Sequence, residues 1–156
     1  MTARTVNPAL GRESDLLKDA ASLHAGRIGY ASQVTETGLH PLDGARYLRR
    51  SGFNDRVSRL VAHHSGAAFE AEERGLRELL LSEFEPDDSA VADLLWLCDM
   101  TVGLLGQDLS IEDRLIEITS RYGLDHVVSR SIDHARQDIL SAAKRATDYL
   151  ERHRPK

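Results

Sequence analysis

Seven apolar residues, Val128, Ile132, Ala135, Ile139, Ala143, Ala146 and Leu150, follow one another at intervals of three or four near the C-terminal end. Side chains so spaced share one face of an α-helix, so the pattern predicts a long amphipathic helix from about Asp125 to His153 with that stripe turned inward. The same period recurs along most of the chain, and no stretch sustains the apolar-polar alternation of a half-buried strand. The fold class read from the sequence is therefore all-α, a compact helical bundle.

Local signals divide the rest. Ser14 caps a helix in which Leu17, Ala20, Ala21 and His24 share a face, and Gly26 ends it. Residues 27–39 form a connection of small and polar side chains. Pro41 suits the first turn of a helix with Leu42, Ala45 and Leu48 on its apolar face, closed by Gly52. Asn54 opens another, with Val57, Leu60, Val61 and His64 in register. Ala67 to Phe84 reads as one longer helix with an acidic start, interrupted only by Gly75. Pro86, Asp87, Asp88 and Ser89 punctuate the chain before a buried helix from Ala90 to Val102. Ser110 and Asp113 have the spacing of a capping box, opening a helix that ends at Gly123.

The 156 residues suffice for one domain with a real core, since a chain of this size buries roughly 70% of its unfolded surface. No run approaches a membrane span. Residues 1–13 read as a flexible terminus without a secretory signal, which points to a cytoplasmic protein. A formal net charge of -5 argues against nonspecific binding to a nucleic-acid polymer or an anionic membrane. Cys98 lies among Leu94, Leu95, Trp96 and Leu97 and reads as a small buried hydrophobe rather than a nucleophile. Arg46, Arg49, Arg50, Arg56 and Arg59 read as a solvated basic face, some of which would steer an anionic ligand.

The chemistry-bearing residues are His24, His40, His63, His64 and Asp99, on separate helices or helix ends. Imidazole and carboxylate suit divalent transition metals, and a hydrolytic site needs several of them converging beside an open position for water. Taken singly, each has a structural explanation. His24 ends an apolar face, His40 flanks a helix start, and His64 lies on an apolar stripe from which His63 points roughly 100° away. Asp99 is the sharpest, because a carboxylate amid Leu95, Trp96, Leu97, Cys98 and Met100 is costly unless it is paired or ligated.

Together these stretches resemble the HD-domain metal-dependent phosphohydrolase superfamily, most closely its small bacterial members. Leu23-His24 followed by Ile28-Gly29-Tyr30 is similar to the motif that names the family. His40-Pro41-Leu42-Asp43-Gly44-Ala45, Val61-Ala62-His63-His64-Ser65 and Leu97-Cys98-Asp99-Met100-Thr101 resemble later motifs in the same order. The resemblance runs from about Asp15 to Tyr122. It implies an HD-like bundle in which His24, His63 or His64, and Asp99 hold a divalent metal (Mn, Fe, Zn, Ni or Mg), with His40 orienting phosphate or water. Two features of the family pattern are missing: no histidine precedes His24, as though the usual first helix were lacking, and Ala25 stands where the pair aspartate belongs. A weakened metal site, or none, is the expectation.

Arg27 falls near the vacated aspartate position, where its guanidinium would grip a phosphate or carboxylate without metal, although a solvent-facing loop arginine is the commoner outcome. Three functions are open. One is a degenerate phosphohydrolase with weak or no hydrolysis of phosphomonoesters or nucleotides. The other is a non-catalytic module that binds a small phosphorylated or other anionic molecule or a partner protein, as a homodimer if loss of the first helix leaves apolar surface for a second subunit to cover. Acid-base chemistry by the histidines on another small metabolite is a third, and nothing in the sequence selects its reaction.

Overall fold

The computed structural model describes residues 15, 18–20, 34–103 and 105–153. The expected flexible terminus, most of the helix read from Ser14 to Gly26, the Leu23 to Tyr30 motif, His24 and Arg27 lie outside the described residues. Within them the chain is all-α: α1 His40–Arg50, α2 Asp55–Ala62, a 3₁₀ turn His64–Gly66, α3 Ala67–Glu73, α4 Arg77–Glu83, α5 Ala90–Met100, α6 Ile111–Tyr122 and α7 Val127–Arg152. The extended backbone pairing among the described residues is a single antiparallel bridge between Val102 and Asp108. None of the described helices is long and apolar enough to cross a membrane.

The helix starts follow from capping chemistry. Asn54 accepts from the Arg56 N–H at 2.9 Å and Ser110 from the Asp113 N–H at 3.0 Å, each satisfying a donor that the first turn leaves without an intrahelical partner. Gly123 ends α6 as expected. The α7 stripe is buried at Ala135, Ile139, Ala143 and Ala146, and half-buried at its ends, Val128, Ile132 and Leu150. This helix is the spine of the bundle, packed against α3, α5, α6 and the 3₁₀ turn, while α1 pairs with α2. Leu48, Val57, Leu60, Val61, Val91, Leu94, Leu95 and Ala146 meet in one part of the core. A second cluster, Leu39, Leu42, Ala45, Ala62, Ala71, Leu80 and Phe84, lies beneath α1, and a third joins Met100, Leu115 and Ile118 to Ala135 and Ile139.

Three sequence expectations need correction. The helix expected from Ala67 to Phe84 is two helices, because Gly75 adopts a left-handed φ of 69° and turns the chain between Glu73 and Arg77. The helix expected to reach Val102 stops at Met100, and Val102 enters the bridge instead. The arginines of α1 and α2 are also more than a solvated face: Arg49 and Arg50 are exposed, while Arg46, Arg49, Arg56 and Arg59 hold the end of α4 and the segment that follows it. Arg46 binds Glu83 and Glu36, Arg49 donates to the Glu83 carbonyl at 3.0 Å and stacks over the Phe84 ring, and Arg56 reaches Asp87 at 2.7 Å and the Ser89 hydroxyl at 3.0 Å. Arg59 donates to the Glu85 and Pro86 carbonyls, and Arg50 pairs with Glu36. Carboxylates and carbonyls distant in sequence thus take up these guanidinium groups.

Candidate functional site

The centre of the site is the junction between α2 and α3. The α2 helix ends at Ala62, His63 caps it, and after His64 two consecutive residues are left-handed, Ser65 with φ 46° and Gly66 with φ 76°. Gly66 is required here because an added Cβ would lie 2.6 Å from the Ala135 Cβ, so α7 passes against the bare backbone of the junction. This sharp turn sends consecutive side chains in different directions.

His63 faces outward to the loop after α4. Its half-buried imidazole donates through Nε2–H to the Phe84 carbonyl at 2.6 Å, and burial pushes its pKa below the ordinary value, against the opposing pull of that carbonyl. The His63 carbonyl in turn accepts from the Trp96 indole N–H at 3.0 Å. His64 faces inward and is 3% exposed. Its Nδ1–H donates to the Val61 carbonyl at 2.5 Å, which in the neutral ring leaves the lone pair on Nε2. The His40 ring, at the start of α1, meets it edge to face with centroids 5.3 Å apart. Next along the chain, the Ser65 hydroxyl donates to Asp99 Oδ2 at 2.5 Å, tying the junction to α5.

The structure therefore brings His40 beside His64, and Asp99 beside Ser65, the residue following His64; it turns His63 elsewhere. His40, His64 and Asp99 each make a further contact, so none stands without a partner. A divalent ion would need three or more ligands at one point. Among the described residues no three of His, Cys, Asp and Glu gather in that way, and His24 lies outside them. By themselves the described side chains do not make up the metal site that the resemblance implies. Cys98, beside Asp99, is mostly shielded from solvent, which pushes its thiol pKa up and keeps it protonated rather than nucleophilic.

Two important residues escaped sequence reasoning. Asp43 is completely buried in α1, where its carboxylate accepts the backbone N–H groups of Glu36, Thr37 and Gly38 at 3.0–3.1 Å and the Thr37 hydroxyl at 2.8 Å. It thereby folds the loop before α1 onto the helix and fixes where His40 begins. The available signal was a carboxylate one turn into a helix behind a Thr-Gly pair, a common arrangement for gathering loop N–H groups. Ser65 is the other, and its left-handed backbone has no mark in the sequence beyond the neighbouring Gly66.

Comparison of the chain with protein-family models, with curated proteins and with solved structures returns no match.

Proposed function

We propose that the chain is a degenerate relative of the HD-domain phosphohydrolases that holds a small phosphorylated molecule between α1, the α2–α3 junction and α5, with weak or no hydrolysis. The observation that carries this reading is the edge-to-face contact of His40 and His64 at 5.3 Å, with the Ser65–Asp99 pair adjoining it in the chain. Three separated stretches are thus linked by two contacts, His40 to His64 and Ser65 to Asp99, in the order in which the family motifs run along the sequence. A phosphate group, with four oxygens distributed around phosphorus, can accept from several donors on different elements at once. An imidazole donates to a phosphate oxygen through whichever ring nitrogen carries hydrogen. Arg27, if it approaches the same region, adds a fixed cation.

The absence of the pair aspartate supports the degenerate half of the proposal, since that carboxylate would polarise the attacking water and balance metal charge. The test is elemental analysis of protein purified without chelator, paired with phosphate release from a panel of phosphomonoesters and nucleotides with and without added Mn. Metal-independent binding of inorganic phosphate with little turnover is expected. Tightly held stoichiometric metal with rapid turnover would overturn the degenerate reading, and loss of phosphate binding in neither H40A nor H64A would overturn the location.

A further inference from the structure

The spine helix α7 begins on a histidine. His126 is its exposed N-cap, and the ring Nδ1 accepts the Val128 N–H at 3.2 Å, one of the first-turn donors that no intrahelical acceptor reaches. An imidazole caps a helix only while it is neutral, because the imidazolium carries hydrogen on both ring nitrogens and accepts at neither. Its charge would then also sit at the positive end of the helix dipole. The Asn54 and Ser110 caps of α2 and α6 have no such dependence on protons.

The surroundings sharpen the effect. Tyr122, at the end of α6, stacks on the His126 ring with centroids 4.9 Å apart and holds it at the helix start. The charged groups about this corner are Glu117 and Arg121 on α6, Asp125 in the connection, Arg130 and His134 on α7 and Glu73 on α3. Arg121 lies 5.2 Å from the centre of the Tyr122 ring and pairs with Glu117 at 2.8 Å, while Arg130 and His134 both reach Glu73, at 2.9 and 3.5 Å. Arg121 and Arg130 oppose a positive His126, and the adjacent Asp125 favours one. Ser129, in the same first turn, is 5% exposed and its hydroxyl has no hydrogen-bond partner. A hydroxyl buried in that state costs free energy, so the closed turn leans on its cap, and opening it admits water to Ser129.

We propose that the corner between α6 and α7 is a pH-operated latch: neutral His126 holds the first turn of α7 closed, and protonation, within the range of about pH 5 to 8 where histidines titrate, releases Val127, Val128 and Ser129. The release stops at Arg130 and His134. Glu73 keeps its pair with Arg130, and a protonated His134 strengthens the second contact. What the open turn uncovers is Val128, otherwise half-buried against the part of the core that holds Met100, Leu115 and Ile118.

The experiment is amide hydrogen exchange on the full chain at pH 7.5 and pH 5.5, for wild type, H126N and H134Q, read as protection factors so that the intrinsic pH dependence of exchange is removed. In wild type, protection at Val128, Ser129 and Arg130 is expected to fall about three- to tenfold at the lower pH, the size of a lost helix cap, with Ile139 and Ala143 unchanged. H126N supplies a cap that does not titrate, and its protection is expected to be equal at the two pH values. H134Q is expected to keep the wild-type fall. Both substituted side chains are exposed, so neither change disturbs the core. Protection in wild type that does not change with pH would overturn the latch, as would a fall in H126N as large as in wild type. Disappearance of the fall in H134Q would assign the response to His134 and overturn it too, and so would a loss spread evenly along α7.

Discussion

Gly66 and Ala135 are in contact through bare backbone: a Cβ on Gly66 would stand 2.6 Å from the Ala135 Cβ. The α2–α3 junction can therefore lie against α7 only while both residues stay small, and this approach orients His64 and Ser65.

Gly66→Ala meets both the steric overlap and the left-handed backbone, φ 76°. Overpacking and the conformational penalty together are expected to destabilise the fold by about 2–4 kcal/mol. The midpoint of urea denaturation measures it. Ala135→Gly in the same background should recover the steric share alone, so full recovery would refute a conformational contribution.

Ser65 and Asp99 are expected to be coupled energetically. S65A keeps the strained backbone and loses the hydroxyl, whereas S65G loses both, so S65G should be the more stable of the two by about 1 kcal/mol. In a double-mutant cycle with D99N, the interaction energy is expected at about 1–3 kcal/mol, the range for a hydrogen bond to a charged group. An additive cycle would show that the pair contributes nothing beyond its separate members.

Asp43→Ala strips the acceptor from three backbone N–H groups and the Thr37 hydroxyl. A loss of about 2–4 kcal/mol is expected, because these donors lie at least partly out of water. Hydrogen exchange should also accelerate at Glu36, Thr37 and Gly38 ahead of the remainder of the chain. Uniform acceleration would mean that Asp43 supports the whole fold rather than this loop.

The clamp onto the segment after α4 sets an acid response. The Arg46 hydrogen bond holds the Glu83 carboxyl below its ordinary value of 4.5. Burial pushes Asp87 upward, but bonds from Arg56 and Ser89 outweigh it and leave it below its ordinary 3.8. With both folded values below the unfolded ones, the contribution is fully present above about pH 4.5 and is lost as pH falls through the folded values. Denaturation midpoints should decline below that pH, and E83Q should flatten the decline. An equal slope in E83Q would assign the acid sensitivity to other carboxylates.

The sequence was most informative where one local rule decides the outcome. The α7 stripe, the Asn54 and Ser110 caps and the Gly123 stop each depend on residues within a few positions, and each is found where the pattern placed it. Gly75 was visible as a weak point between Ala67 and Phe84, yet a glycine inside a helix and a glycine that ends one look alike until φ is known. The arginines misled for a related reason: their composition reads as solvated charge, while their carboxylate and carbonyl partners at Glu83, Glu85 and Asp87 come within reach only after α4 folds back.

The candidate site divides along the same line. Residue types and their order named His40, His63, His64 and Asp99 together as candidates. They could not separate His63 from His64, because adjacent positions part company only when the helix ends between them and the chain turns left-handed at Ser65 and Gly66. Sequence by itself determined an all-helical chain, its inward faces and the set of groups available for chemistry, since these follow from periodicity and side-chain type. Tertiary structure alone decided which imidazole turns inward, which acid receives the serine hydroxyl and which cations are neutralised, because distance and direction between segments far apart in the chain arise only from packing.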